Sequence, residues 1–258
     1  MSNPNPARIT DAMWRLWLAL KALEPSTQLG GIYANKPGYH NTRAANSSSN
    51  YSVRDAQDKR GPGDKAAAID WTFPSAQRGD YRLIAKYMSR IMRSGKDKND
   101  ERLDGWREVF GQADSDRAVE GWDCRYLRPV TSDSSHLWHI HFSESREHVE
   151  SWANKDALLS VLKGESLAAW RERTKGKPKP PVKPPAPAGT MCKGKLRPAL
   201  RRGGKGEHVR FLQAMIGAKV DGDFGPATEA RVRWYQKMRG LPVNGVADPA
   251  TWRSINQM

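Results

Sequence analysis

Leu200-Arg201-Arg202-Gly203-Gly204-Lys205-Gly206 leads to Val209 and Leu212-Gln213 and closes on Val220-Asp221-Gly222-Asp223-Phe224-Gly225-Pro226-Ala227-Thr228. Further on, Val232, Tyr235-Gln236 and Val243-Asn244-Gly245-Val246-Ala247-Asp248-Pro249-Ala250-Thr251-Trp252 answer it. One half-motif is written twice between Leu200 and Ile255. Each half ends in an Asx-Gly turn followed by Pro and Thr, the order expected where a tight turn feeds the first turn of a helix. The turns therefore punctuate three short helices. Val209, Leu212 and Ile216 recur at helical spacing, as do Val232, Tyr235 and Met238, so each helix offers one apolar stripe to a shared small core.

Both half-motifs resemble the peptidoglycan-binding domain of bacterial and phage wall hydrolases, and the resemblance covers the whole segment. It implies non-catalytic attachment to peptidoglycan. Trp234 and Tyr235 are candidates for stacking on sugar faces, although an aromatic on such a helix more often belongs to the core.

Outward from this segment, 258 residues with 38% hydrophobic content provide for one to two packed domains. A net charge of +15 favours polyanionic partners, whether nucleic acid, anionic lipid or the phosphate-rich polymers of a bacterial wall. Lys and Arg are spread along the chain without a nucleic-acid motif, so no specific nucleic-acid partner is expected. Cys124 and Cys192 lack CxxC spacing and support neither a disulfide framework nor a cysteine metal site. Met1-Ser2-Asn3-Pro4-Asn5-Pro6 has no basic, apolar leader, and no stretch is long enough to cross a bilayer. The expectation is a monomer without membrane insertion, made in a host cytoplasm and released to the wall through a holin, as phage endolysins are.

Between Thr174 and Thr190 runs a Pro- and Lys-rich stretch whose prolines favour extended geometry while its lysines repel one another. It reads as a stiff tether over 174–190, with a catalytic domain over 1–173 and the binding module over 191–258. In the first of these, Thr10 or Asp11 caps an amphipathic helix with Ile9, Met13, Leu16, Leu20 and Leu23 on one face, ending at Pro25. The polar stretch from Tyr39 to Asp64 reads as a long loop of the kind that lines a site. Ala66 to Phe73 reads as a strand with Asp70 lodged among apolar residues. Asp80 is placed as the cap of a helix through Ile84, Tyr87, Met88 and Ile91 that stops at Gly95, followed by a Trp- and Gly-rich connection through Trp106 and Trp122. Leu137 to Phe142 reads as a second strand and Ser145 to Leu162 as a helix with Val149, Trp152 and Leu159. The mixture predicts an α+β domain with a small antiparallel sheet.

Ser134-Ser135-His136-Leu137-Trp138-His139-Ile140-His141-Phe142 holds half of the six histidines. On a strand, His139 and His141 project to one side while Trp138, Ile140 and Phe142 pack on the other. Two imidazoles converge, and Asp70 on the earlier strand is the obvious carboxylate. Such a donor set suits zinc, whose hydrolytic sites use three protein ligands. The run His136-x-x-His139-x-His141 resembles the murein endopeptidase version of the superfamily that includes zinc D-Ala-D-Ala carboxypeptidases and phage L-alanyl-D-glutamate endolysins; Ala66-x-Ala68-Ile69-Asp70 resembles that superfamily's approach to its ligand Asp. By that resemblance Asp70 and His141 bind zinc and His139 handles protons. The superfamily's first ligand His, seven residues before the Asp, falls on Gly63 here; His40, delivered by the long loop, is the expected replacement, with Asp64 a poorer one. A second frame makes His139 the ligand and His136 the proton carrier. His148 and His208 read as ordinary histidines.

These residues imply an endolysin that cleaves peptide bonds in peptidoglycan. Its rivals are a zinc amidase using the same centre, a muramidase built on Glu108 with Asp104 or Glu120, and a wall-binding protein without catalysis.

Overall fold

The computed structural model describes residues 1–114, 116–177 and 198–256. Its contacts divide the chain into two compact units, Met1–Pro187 and Ala188–Met258. From residue 178 the expected tether lies outside the described residues, as does Cys192.

The first unit contains helices α1 (Asp11–Leu23), α2 (Ala56–Lys59), α3 (Pro74–Gln77), α4 (Arg82–Lys96), α5 (Trp152–Lys163) and α6 (Leu167–Thr174). Its strands are β1 (Gln28–Gly31), β2 (Ala68–Thr72), β3 (Trp106–Gly111), β4 (Glu120–Asp123), β5 (Arg128–Val130) and β6 (His139–Glu144). They form one six-stranded sheet in the order β1-β2-β6-β3-β4-β5, antiparallel at every pairing. Period-2 alternation divides it into two faces. Ile69, Trp71, Val109, Ile140 and Phe142 are buried on one face, sharing a core with Met13, Leu16 and Leu20 of α1, Ile84, Met88 and Ile91 of α4, and Leu158 and Leu162 of α5. Each such side chain contributes about 1.5–3 kcal/mol when fully buried, and together they fix the sheet as a rigid base. The opposite face carries Asp70, His141 and Ser143 and is overlaid by residues 32–64.

α1 starts at Thr10, whose hydroxyl accepts from the Met13 N–H at 3.1 Å and donates to the Val149 carbonyl at 2.7 Å. Asp11 is thus the first helical residue rather than the cap. Other boundaries depart from the sequence reading. Tyr81, not Asp80, is the cap residue of α4, with Asp80 paired to Arg82. Gly95 does not stop that helix, which continues to Lys96; a Cβ on Gly95 would lie 2.5 Å from the Trp122 ring, so the glycine permits close helix-to-sheet approach. Trp106 and Trp122 lie in strands β3 and β4, not in a connection. Ser134–Leu137 is a short 3-10 turn, so β6 begins at His139, two residues later than expected. Ser145 to Leu162 is likewise not one helix: a 3-10 turn over Arg146–His148 precedes α5, which Ser151 caps through the Asn154 N–H. Within residues 39–64, Tyr51–Val53 and α2 are helical.

The second unit holds α7 (Glu207–Ile216), α8 (Pro226–Met238) and α9 (Pro249–Asn256), packed around Val209, Leu212, Ile216, Phe224, Val232, Tyr235, Trp252 and Ile255. Met238 is 58% exposed and drops out of the stripe; its place in the interior is taken by Gln236, a polar residue that periodicity alone does not select. Gln213 and Gln236 are the hubs of the two half-motifs. The Gln213 amide donates to Asp221, the Asp223 carbonyl and Thr228, and accepts from the Gly222 N–H. Gln236 makes the matching set with Asn244, the Val246 carbonyl, Thr251 and the Gly245 N–H. Each glutamine is fully buried and ties an Asx-Gly turn to the helix it precedes. Gln236→Leu strands the Gly245 N–H and is expected to destabilise this unit by about 1–3 kcal/mol, read as a lower unfolding midpoint; an unchanged midpoint would remove the hub role.

Candidate metal centre

Asp70 and His141 are direct Cα partners across the β2/β6 pairing, and Thr72 and His139 are the next pair on the same face. Cross-strand neighbours bring Cβ atoms to about 4.5–5.5 Å, so the acid and the imidazole meet without any loop to place them. Gly30 helps on the other side of Asp70: a Cβ there would lie 2.8 Å from the Asp70 Cβ. His40 arrives from residues 32–64, where the Ala67 N–H donates to the Tyr39 carbonyl at 2.8 Å and the Ala34 N–H to the His40 carbonyl at 3.0 Å.

The result is a triangle of donor atoms. His141 Nδ1 lies 2.7 Å from Asp70 Oδ1, His40 Nε2 lies 3.1 Å from the same oxygen, and the two nitrogens are 3.3 Å apart. His40 Nδ1 sits 2.8 Å from the Ile32 carbonyl, which only accepts, so that nitrogen carries the proton. A neutral His40 therefore presents the Nε2 lone pair to the triangle. His141 Nε2 is 2.7 Å from the Ser143 hydroxyl, leaving its Nδ1 turned inward.

This donor set fits zinc. A tetrahedral centre with bonds near 2.0 Å spaces its ligand atoms about 3.3 Å apart, the separation of the two nitrogens here, and the two contacts to Asp70, at 2.7 and 3.1 Å, would open slightly around an ion. A proton on either imidazole satisfies part of the triangle; a divalent cation satisfies all of it. The distal hydrogen bond from His40 to a backbone carbonyl is the orientation that metal-binding imidazoles commonly have. The side chains of His40, Asp70 and His141 remain 20%, 22% and 12% exposed, so the centre is reachable from solvent, as a catalytic rather than a sealed structural site requires.

Electrostatics agree with a tightly held anion. Burial pushes the Asp70 carboxyl up, but its contacts with the His141 and His40 imidazoles outweigh it and hold Asp70 well below the usual carboxylate range. Burial also disfavours charge on His40, yet Asp70 raises it overall, whereas for His141 burial prevails and lowers it. Burial lowers His139 to about 4, only partly offset by Asp70.

His139 stands at the edge of the triangle, its Nε2 3.7 Å from Asp70 Oδ1. The His136 ring is 4.7 Å from that of His139, even though His136 lies on the turn before the strand. Asp64 is exposed and paired with Lys65, away from the centre. His148 pairs with Glu147, and His208 is exposed on α7. Glu108, offered for the muramidase reading, is buried beside Arg107, and burial raises its carboxyl. Glu120 accepts from the Ala113 N–H, and with Asp114 and Asp116 forms a second, largely exposed group of acids without an imidazole. Sequence reading missed Ser143, although it lies two residues beyond His141 on the same face and period 2 would have found it. It also missed Arg146, for which no local pattern existed.

Comparison with known proteins bears on the second unit first. Residues 207–255 match the family described as putative peptidoglycan binding domain. A zinc D-Ala-D-Ala carboxypeptidase of Streptomyces albus G is 43% identical over 67 residues, 23% of this chain and 26% of that protein. An uncharacterized protein in the bpoA1 3' region of Kitasatospora aureofaciens is 36% identical over 66 residues, 23% of this chain and 56% of that protein. The chain thus spans about a quarter of the first relative and just over half of the second. An alignment this short is no longer than the C-terminal unit, so any chemistry assigned to the N-terminal one rests on the site itself. No solved structure matches the chain.

Proposed function

We propose that this chain is a zinc-dependent hydrolase of peptide bonds in bacterial peptidoglycan. The observation that carries the reading is the triangle of His40, Asp70 and His141 on a rigid sheet face, joined in one chain to a segment of the peptidoglycan-binding kind. Those three residues would hold the zinc, with His141 as the ligand and His139 outside the set. Bound there, zinc would act as a Lewis acid that polarises a carbonyl and eases deprotonation of water.

The other roles fall to the chain's own side chains. His139, beside Asp70 and open to the face, takes and returns the proton as the amine departs. His136, its ring tilted by 42° against that of His139, keeps that ring oriented. Asp70 sets its carboxylate oxygen against the inward nitrogens of both imidazoles, so that all three donors face one point, and the aromatic side of Phe110, 6.2 Å from the His141 ring, walls the site towards β3. The C-terminal unit keeps the enzyme at an insoluble substrate, which raises its local concentration there.

The test is digestion of purified walls with and without chelator. New amino groups that vanish on chelation and return with zinc are expected, and product masses then separate a cut within the peptide from an amidase cut at the sugar. New reducing sugar ends insensitive to chelation would overturn the reading in favour of a muramidase. Removing residues 198–258 is expected to reduce attack on intact walls at least tenfold while changing soluble-peptide hydrolysis less than twofold, taking local concentration effects as roughly 10²–10⁴ at most; equal losses on both substrates would remove the anchoring role. The endolysin setting belongs to the same proposal: expression inside a susceptible cell is expected to cause lysis only when a holin is co-expressed. Lysis without one would sink that part alone.

A further inference from the structure

Ser143 has no part in the reading above, yet it is fully buried and its hydroxyl lies 2.7 Å from the nitrogen of His141 that faces away from the triangle. Its neighbour across β2 is Ala68 and across β3 Glu108, both on the same sheet face. No other hydrogen bond competes for His141 Nε2 among the described residues.

The two imidazoles of the centre are therefore braced differently. His40 rests on a backbone carbonyl, which only accepts, so its proton stays on Nδ1 with or without a cation. His141 rests on a hydroxyl, which both donates and accepts. With no cation bound, the short contact to Asp70 is best met by a proton on His141 Nδ1, and Ser143 then donates to Nε2. A cation requires the Nδ1 lone pair, so the imidazole proton must sit on Nε2 and Ser143 must accept it. The imidazole carries one proton in both states. What changes is which nitrogen bears it, and the exchange runs through solvent.

We propose that Ser143 is a positioning residue whose hydroxyl rotates between donor and acceptor, letting His141 change tautomer in place as the metal binds. The inference rests on the zinc reading and adds to it a residue and a physical step. A carbonyl or carboxylate at this position would lock the metal-ready tautomer permanently and leave His141 Nδ1 and Asp70 as two facing acceptors whenever the cation is absent. The hydroxyl avoids that cost.

The experiment measures zinc binding by the full-length protein through competition with a chromogenic chelator, together with nitrogen-15 NMR of the histidine rings. In the unsubstituted protein, His141 is expected to carry its proton on Nδ1 after zinc removal and on Nε2 when loaded. Ser143→Ala is expected to weaken zinc binding by roughly ten- to a hundredfold, and Ser143→Thr, which keeps the hydroxyl, to recover most of it. Should the threonine methyl disturb packing, the ring spectrum of the unsubstituted protein still decides. Identical tautomers in the two states, or full zinc affinity in Ser143→Ala, overturns the inference while leaving the zinc centre standing. An unsubstituted protein that binds no zinc overturns both.

Discussion

His141→Ala is expected to cut zinc affinity by more than roughly a hundredfold, since even the outer partners of a metal-binding imidazole are worth about ten- to a hundredfold. Hydrolysis of wall peptides should fall below detection with it. The physical reason lies in the triangle. His141 Nδ1 is within 2.7 Å of Asp70 and 3.3 Å of His40, so its removal leaves one nitrogen and one oxygen, too few to hold a divalent cation against water. The fold should survive. Strand β6 keeps its backbone pairing with β2 and β3, and the apolar face through Ile140 and Phe142 is untouched. Far-ultraviolet circular dichroism should match the parent, and His148→Ala, on a residue paired with Glu147 away from the triangle, should change neither metal content nor rate. A His141→Ala protein that keeps stoichiometric zinc and full turnover would end the assignment. His139→Ala separates the two histidine frames. Retained zinc with slow turnover fits a proton carrier, and lost zinc would make His139 the ligand.

The parts of this molecule that were legible from sequence are those where one element supplies its own pattern. Thr10 ahead of the α1 stripe, the alternation through His139 and His141, and the acid of Asp70 between Ile69 and Trp71 are local facts, and the fold uses them locally. The doubled Asx-Gly-Pro-Thr order is equally self-contained. What escaped notice depends on partners distant along the chain. Strand β3 was hidden because its pairing with β6 slips between Trp106 and Glu108, which spoils the alternation a strand should print. Gly95 resembled a helix stop because only the Trp122 ring, which packs on it, explains a glycine inside α4. The burial of Gln213 and Gln236 has no local signal, because a buried amide is acceptable only where turn atoms satisfy it, and those atoms come eight to ten residues later. His40 was reachable only by elimination. It stands 30 residues before Asp70, and the bonds its own segment makes to it are joined by those of an arginine far down the chain, which holds the carbonyls on either side.

That arginine is Arg146, and Arg146→Met is expected to lower the stability of the N-terminal unit and empty the centre together. Its side chain is completely buried, and all of the guanidinium N–H groups are spent on residues 38–65. Nε donates to the Ser52 carbonyl, Nη1 to the carbonyls of Asn41 and Lys65, and Nη2 to the Gly38 carbonyl and the Ser52 hydroxyl, at 2.9–3.2 Å. Asp58 supports it from below, accepting from the Arg146 N–H at 3.3 Å, from the Tyr39 hydroxyl at 2.7 Å and from Arg125 at 3.2 Å. Burial disfavours the guanidinium charge, with Tyr39 and Asp58 opposing. Gly38 and Asn41 flank Tyr39 and His40, so two of the stitched carbonyls bracket the residue that enters the metal centre. Methionine fills much of the volume but donates nothing, stranding several buried acceptors at about 1–3 kcal/mol each. With relaxation and water entry, a loss of about 3–5 kcal/mol is the expectation, the usual range for breaking a buried charged group out of its network. At about 2–4 °C per kcal/mol for a unit of this size, the unfolding midpoint should drop by roughly 10 °C. Lysine should not rescue it, because a single ammonium cannot reproduce a planar fork of five donors. Below the new midpoint, residues 38–65 should become sensitive to protease and zinc affinity should fall although no ligand has been altered. An Arg146→Met protein with the parental midpoint and zinc affinity would show that His40 is held by its own segment, and the centre would then owe nothing to the arginine beneath it.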